Sequence, residues 1–356
     1  MSDVLRVGVV GVGIMGADHA DRLARRIAHA RLVAVADPDE ARAKELAAGF
    51  DGVRAGVDAL ELIAADDVDA VILASPGFVH EEQVLACLAA GKPVLCEKPL
   101  TMDSESSLRL VQAERDLGRQ LIQVGFMRRF DPEYASLRAT LAGGSLGRTL
   151  LLHNVHRNAS VPNPDFRSEM IVRDSLVHEV DVARFLFDEE IVAIQVLSPA
   201  PSSHASAGVI DPQVAIFTMA GGGLVTNEVF VNSQVGYEVR CEAVAERGSI
   251  VIGRPSSGAY TTSLAVDGLG RWGGSVPADY RTRFATGYDL EVQAWADAAR
   301  RGESVGPSVW DGYAATVVSS AGMASLATGE RVAVDLVDPG TLSHSHSASH
   351  STKEQS

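Results

Sequence analysis

Cysteine is scarce in this chain: Cys87, Cys96 and Cys241 are the three in 356 residues, with no paired framework and no CxxC. A disulfide scaffold and a thiolate metal site are thereby excluded, and a reducing cytoplasm is the expected setting. Positive charge is in deficit too, with 31 Lys+Arg against 46 Asp+Glu and a formal net charge of −15. Such a field repels phosphates, so neither nucleic acid nor an anionic membrane surface is expected as partner, and a small molecule is. Long apolar runs are missing as well. Stretches such as Val7 to Met15 are glycine-rich and fall short of the ~20 residues that cross a bilayer, and no secretory-type leader is expected. No HExxH, GxSxG or Walker-type loop occurs, which leaves metalloprotease, esterase and P-loop readings without a motif.

What is present suits a soluble globular protein of about two domains, with 46% apolar side chains and no internal repeat. Leu5–Val10, Leu32–Ala36, Ala70–Ala74, Val94–Cys96 and Leu121–Val124 read as strands without polar alternation, and so as buried on both faces. Between them Ala17–His29, Pro38–Ala48, Asp58–Ala64, His80–Ala90 and Ser104–Leu117 carry apolar residues at helical spacing. This alternation predicts an α/β fold with an N-terminal Rossmann-type, doubly wound parallel sheet over residues 1–127. Residues 128–342 read as an α+β domain. It has helices Pro132–Ala142 and Asp174–Phe187, and strands Leu150–His156, Ile191–Leu197, Gln213–Met219, Leu224–Val231, Tyr237–Ala243, Ser249–Ile252 and Tyr260–Val266 in a large, mostly antiparallel open sheet. Two late helices, Gly287–Arg301 and Asp311–Thr328, follow and are free to pack back on the first domain. A sheet with one bare face commonly pairs with its copy, so a homo-oligomer is expected. The tail 343–356 has no apolar content to bury and is expected to be mobile; its three histidines suggest adventitious metal binding at most.

The string Gly11-Val12-Gly13-Ile14-Met15-Gly16 follows the first strand and opens the first helix. Its glycines permit a tight turn, close approach of backbone to a pyrophosphate, and close packing of helix on strand, while the helix N-terminus faces the negative charge. Asp37 ends the second strand 21 residues after Gly16, where a carboxylate accepts hydrogen bonds from the ribose hydroxyls of an adenosine. A 2′-phosphate would meet like charge there, so NAD is favoured over NADP. The strands Ala70–Ala74 and Val94–Cys96 run into Ser75-Pro76-Gly77 and Glu97-Lys98-Pro99, and ligands of open parallel sheets sit beyond such carboxyl ends.

Asp174 and His178 lie four residues apart on one expected helix, so they share a face. A carboxylate beside an imidazole orients it and favours its protonated form, which suits a base that takes a hydroxyl proton. A helix cap and a satisfied core histidine are the alternative readings. No metal is called for: His153 and His156 bring no matching carboxylates.

In this order, GxGxxG, Glu97-Lys98-Pro99 and Asp174-x-x-x-His178 resemble the glucose-fructose oxidoreductase and inositol dehydrogenase family over almost the whole chain. Gly125 to Asp131, His156-Arg157-Asn158, Asp174 to Asp181 and Trp310 to Tyr313 are similar to its inositol-oxidising members. The resemblance implies an NAD-dependent dehydrogenase acting on a cyclitol secondary alcohol, myo-inositol to 2-keto-myo-inositol. The alternatives are scyllo-inositol, D-chiro-inositol, an aldose or a keto-cyclitol, and, in another class, a non-catalytic NAD-binding regulator. It implies that Lys98, Asp174 and His178 are catalytic, and that Gly11, Gly13, Ile14, Met15, Gly16, Asp37, Ser75, Glu97, Lys98 and Tyr280 hold the cofactor. Met127, Arg128, His156, Asn158 and Tyr237, with Asp174 and His178, would then surround the polyol, and the assembly would be a tetramer. The loop Ser75 to His80 departs from the usual inositol-enzyme string, which loosens the substrate assignment more than the reaction class.

Overall fold

The computed structural model describes residues 4–161, 163, 165–253, 276–277 and 279–337. Strands β1 (Leu5–Val10), β2 (Ala30–Ala36), β3 (Arg54–Gly56), β4 (Ala70–Leu73), β5 (Val94–Cys96) and β6 (Ile122–Val124) alternate with helices α1 (Ile14–Arg25), α2 (Glu40–Ala48), α3 (Ala59–Ala64), α4 (His80–Ala89) and α5 (Ser104–Leu117). All neighbours are parallel, in the order β3-β2-β1-β4-β5-β6. The apolar strands β4, β5 and β6 are buried along their whole length, as a sheet covered on both faces requires. Strand order reverses between β1 and β4, and the crevice at that switch point is where such sheets take ligands. The short β3 was not legible in the sequence: two of its three residues are exposed and it has no apolar run.

The chain then forms α6 (Pro132–Ala142), β7 (Thr149–Arg157), α7 (Ser168–Met170), α8 (Val177–Phe187), β8 (Ile191–Leu197), β9 (Gln213–Met219), β10 (Leu224–Phe230), β11 (Glu238–Ala245), β12 (Gly248–Ile252), α9 (Tyr280–Arg283), α10 (Ala285–Ala299), α11 (Val309–Thr328) and β13 (Val332–Ala333). The second sheet runs β12-β11-β7-β10-β9-β8-β13 and is antiparallel except for the β7–β10 pair. In β9 every second residue is buried, the pattern of a sheet packed on one face. The opposite face carries partly exposed Leu151, Val155, Val214, Ile216 and Val244. The expected strand Tyr260–Val266 and the tail lie outside the described residues.

The late helices return to the first sheet. On α10, Val292, Trp295, Ala296 and Ala299 join one core with Val7, Leu23 and Leu32, and Arg22 of α1 donates to Asp289 at 2.9 Å. A Cβ at Gly312 would come within 2.7 Å of Leu100, so the missing side chain is what lets α11 seat there. The expected division at residue 127 falls where β6 gives way to a 3₁₀ turn, Met127–Phe130, beside the mouth of the crevice.

Candidate active site

The dinucleotide end is built mostly from backbone. Gly11 has φ +79°, and a Cβ there would meet Ser75 N at 2.5 Å, so glycine is required. A Cβ on Gly16 would lie 1.8 Å from Gly11 O, so only glycine allows α1 to sit this close to β1. At Gly13 a Cβ would meet nothing within 4 Å: the space above it is open, as a pyrophosphate lying on the loop needs. No side chain caps the N-terminus of α1, which leaves its first N–H groups available to an anion. Ile14 is exposed there and Met15 half-buried. Asp37 accepts from Val12 N at 2.8 Å, Asp39 N at 2.9 Å and Arg42 Nη2 at 2.7 Å. Burial alone would raise its carboxyl; those three donors outweigh burial and hold it below the usual carboxylate range.

Between the two ends lies the Glu97–Lys98 turn. The Glu97 carboxylate is engaged internally, by His19 Nε2 at 2.9 Å and Lys98 N at 3.2 Å, and so shapes the turn. His80, which sequence reasoning missed, ties this turn to the β4 loop, with Nδ1 3.0 Å from Pro99 O and Nε2 2.8 Å from Ser75 O. The Ser75 hydroxyl donates to Gln83 at 2.5 Å.

At the chemical end Lys98 Nζ donates to the backbone oxygen of Asp174 at 3.1 Å. The expected carboxylate–imidazole pair is absent. Residues Ile171–Ser175 form a π turn, and α8 begins only at Val177, so the four-residue spacing from Asp174 to His178 does not stack one side chain over the other. The Asp174 carboxylate instead takes both arms of Arg173, at 2.7 and 2.8 Å. Asp181 accepts from Arg129 Nη2 at 2.6 Å.

His178 is buried and makes no hydrogen bond among the described residues; its ring meets those of Phe126 and His156 edge-on, each 6.3 Å between centroids. Burial, then the charges of Lys98 and Arg128, push its pKa well below the ordinary value, so the imidazole is neutral and ready to accept a proton. Beside it, Arg128 Nη1 donates to Glu179 Oε1, and Arg128 stacks over Phe284 at 5.6 Å. His156 stands 5.5 Å from Tyr237, and Tyr237 stands 6.3 Å from Tyr280. Burial pushes the Tyr280 hydroxyl up to about 12, so it stays a donor. Met127 is buried, and the side-chain oxygen of Asn158 is buried without a partner among the described residues. Side chains on β7, α8 and α9, and just beyond β5 and β6 and before β11, are thus brought together. Glu179, Arg173 and His80 are the members that sequence reasoning missed; only an arginine or histidine within the quoted strings hinted at their partners. No group of three or more potential metal ligands occurs among the described residues.

Residues 5–126 match the model of an oxidoreductase family with an NAD-binding Rossmann fold, and residues 134–251 match the GFO/IDH/MocA C-terminal domain. The chain belongs to the GFO/IDH/MocA family. It is an NAD-dependent oxidoreductase. It is 53% identical to the inositol 2-dehydrogenase of Mycolicibacterium smegmatis, over 96% of this chain and 99% of that one. It is 54% identical to inositol 2-dehydrogenase 4 of Saccharopolyspora erythraea, over 94% and 98%. Among solved structures, the myo-inositol dehydrogenase of Lactobacillus casei in complex with NAD(H) and myo-inositol superposes with a TM-score of 0.87 at 34% identity, covering 95% of this chain and 99% of that one. Within the family frame, the open loop at Gly13, the uncapped α1 and the Asp37 carboxylate fit the dinucleotide.

Proposed function

We propose that this protein oxidises a cyclitol, myo-inositol at its 2-hydroxyl, to the corresponding ketone. NAD⁺ on the glycine loop supplies the hydride acceptor. The protein's part begins with His178, which takes the hydroxyl proton as the C–H bond gives up its electron pair and the C=O bond forms. Lys98 hydrogen-bonds the reacting oxygen and favours the charge that builds there. Asp174 places Lys98 through its backbone oxygen, while Arg128, His156, Asn158 and Tyr237 hold the other hydroxyls. The observation that carries this reading is the buried imidazole of His178, without a hydrogen-bond partner among the described residues, set between Phe126 and His156 and close to the charges of Lys98 and Arg128. The names of the relatives at 53% and 54% identity support the substrate.

Residues 128–342 are proposed as the substrate-binding and oligomerisation unit, with a tetramer formed partly through the bare sheet face. No described helix is long and apolar enough to cross a membrane, and the three buried thiols support a cytoplasmic setting. Purified protein with NAD⁺ is expected to generate NADH absorbance on myo-inositol, and more slowly on scyllo-inositol, D-chiro-inositol and glucose. Equal or faster rates on another member of that panel reassign the substrate; NAD⁺ binding without turnover on any of them rejects the enzyme reading. Light scattering after gel filtration checks the subunit count.

A further inference from the structure

We infer that Glu179 is a positioning residue that fixes His156 as its Nδ1–H tautomer, so that Nε2 offers a lone pair to a substrate hydroxyl. The inference rests on the cyclitol reading of this cleft for its consequence, though not for its geometry. Glu179 follows His178 on α8 and is fully buried, with 0% of its surface exposed. A buried carboxylate persists only with donors around it, and this one has two: Arg128 Nη1 at Oε1, and His156 Nδ1 at 3.2 Å from Oε2. Burial would raise its carboxyl, but Arg128 and His156 outweigh burial and bring it down to about 2, so it is an anion and only accepts.

A second contact opposes the first. Arg128 Nη2 lies 3.3 Å from the same Nδ1, and a guanidinium only donates. A neutral imidazole nitrogen cannot satisfy both neighbours. The asymmetry lies in what each loses: Arg128 keeps Glu179 and also interacts with the Tyr237 hydroxyl, whereas Oε2 has no other donor among the described residues and would be a buried charged oxygen left unpaired. Stripping a buried charged acceptor is the costlier outcome, so the proton belongs on Nδ1. Nε2 has no partner among the described residues and is then an acceptor. The cleft already holds the donors Lys98 and Arg128; His156 adds the acceptor that a polyhydroxylated ring needs for its own O–H groups. His178, 6.3 Å away, is left free of that duty and takes the reacting proton.

Neutron diffraction from deuterium-exchanged crystals of the unmutated protein, without substrate, tests the tautomer directly. Density for deuterium on Nδ1 and none on Nε2 is expected; deuterium on Nε2, alone or with Nδ1, overturns the inference. Glu179→Gln is expected to turn an amide N–H toward Nδ1 and move the proton to Nε2. The expected kinetic result is a rise of about tenfold in KM for myo-inositol, a smaller fall in kcat and an unchanged Kd for NAD⁺. Glu179→Asp, which keeps the charge, is expected to recover the native tautomer. A Gln variant with native KM and tautomer overturns the proposal. If no cyclitol is turned over while Nδ1 carries the deuterium, the substrate reading fails and the positioning role stands.

Discussion

The two ends of the cleft are made of different materials. The dinucleotide end is a loop of glycines, a helix terminus and one carboxylate, contributed by consecutive elements within the first 37 residues. The chemical end is made of side chains from segments far apart in the chain, among them a lysine, an arginine, two histidines and a buried glutamate. The first is preorganised by backbone geometry. The second depends on a low-dielectric interior, where each charge sets the protonation of its neighbour. A substitution at the first end is therefore expected to change which dinucleotide binds, and at the second how fast the proton moves.

The largest effect tests whether the ends separate in this way. His178→Ala is expected to lower kcat by about 10²–10⁴, the usual weight of a general base, with the Kd for NAD⁺ nearly unchanged. Calorimetric titration of NAD⁺ beside initial rates measures both. Parallel loss of rate and NAD⁺ affinity would falsify the base assignment, because it is the signature of a collapsed fold.

At the other end, Asp37→Ser removes the carboxylate proposed to accept the ribose hydroxyls and to repel a 2′-phosphate. The ratio of kcat/KM for NADP⁺ over NAD⁺ is expected to rise by roughly ten- to a hundredfold, the weight of one or two hydrogen bonds to a charged group. Arg42, now 2.7 Å from Asp37, is freed to meet that phosphate, so adding Arg42→Ala is expected to cancel most of the NADP⁺ gain. Calorimetry with 2′,5′-ADP gives the same comparison without turnover. A ratio unmoved by Asp37→Ser sinks the ribose role.

The contrast also explains what the sequence could tell. The glycine loop is legible because each glycine has a backbone reason and the spacing is fixed by one turn. The parallel sheet is legible because its strands lack polar alternation. The Asp174–His178 pair misleads because a four-residue spacing presumes α-helical pitch, and the chain takes a π turn over Ile171–Ser175 that no periodicity announces. Glu179 reads as one more polar residue on a helix; its partners Arg128 and His156 stand 51 and 23 positions away, so only folding reveals the cluster. The return of α10 to the first sheet is likewise a long-range fact, visible once Trp295 is found in the core with Leu23.

The next prediction concerns pH. A base whose pKa were raised by an adjacent carboxylate would lose activity as pH falls through a value above the ordinary ~6.5 of histidine. His178 has no such neighbour and is pushed the other way, by burial first and by Lys98 and Arg128 after it. The deprotonated form therefore survives to lower pH, and the acid limb of kcat/KM is expected below that ordinary value. A limb above it would show that the Asp174 carboxylate, and not the cationic neighbours, sets the imidazole in the working enzyme.

The smallest effect sharpens that point. Arg173 holds the Asp174 carboxylate through two hydrogen bonds, on side chains that are about a quarter and a third exposed, so the pairing is partly screened by water. Arg173→Met leaves the backbone oxygen of Asp174, and hence the Lys98 contact, in place while releasing the carboxylate. Free to approach His178, an anion within reach stabilises the protonated ring, and the acid limb is expected to move up by about one pH unit, with kcat at high pH little changed. Arg173→Lys, which keeps a cation beside Asp174, is expected to move the limb less. If the limb stays where it was in the Met variant, the carboxylate cannot reach the imidazole past the π turn, and Asp174 serves the site through its backbone oxygen alone.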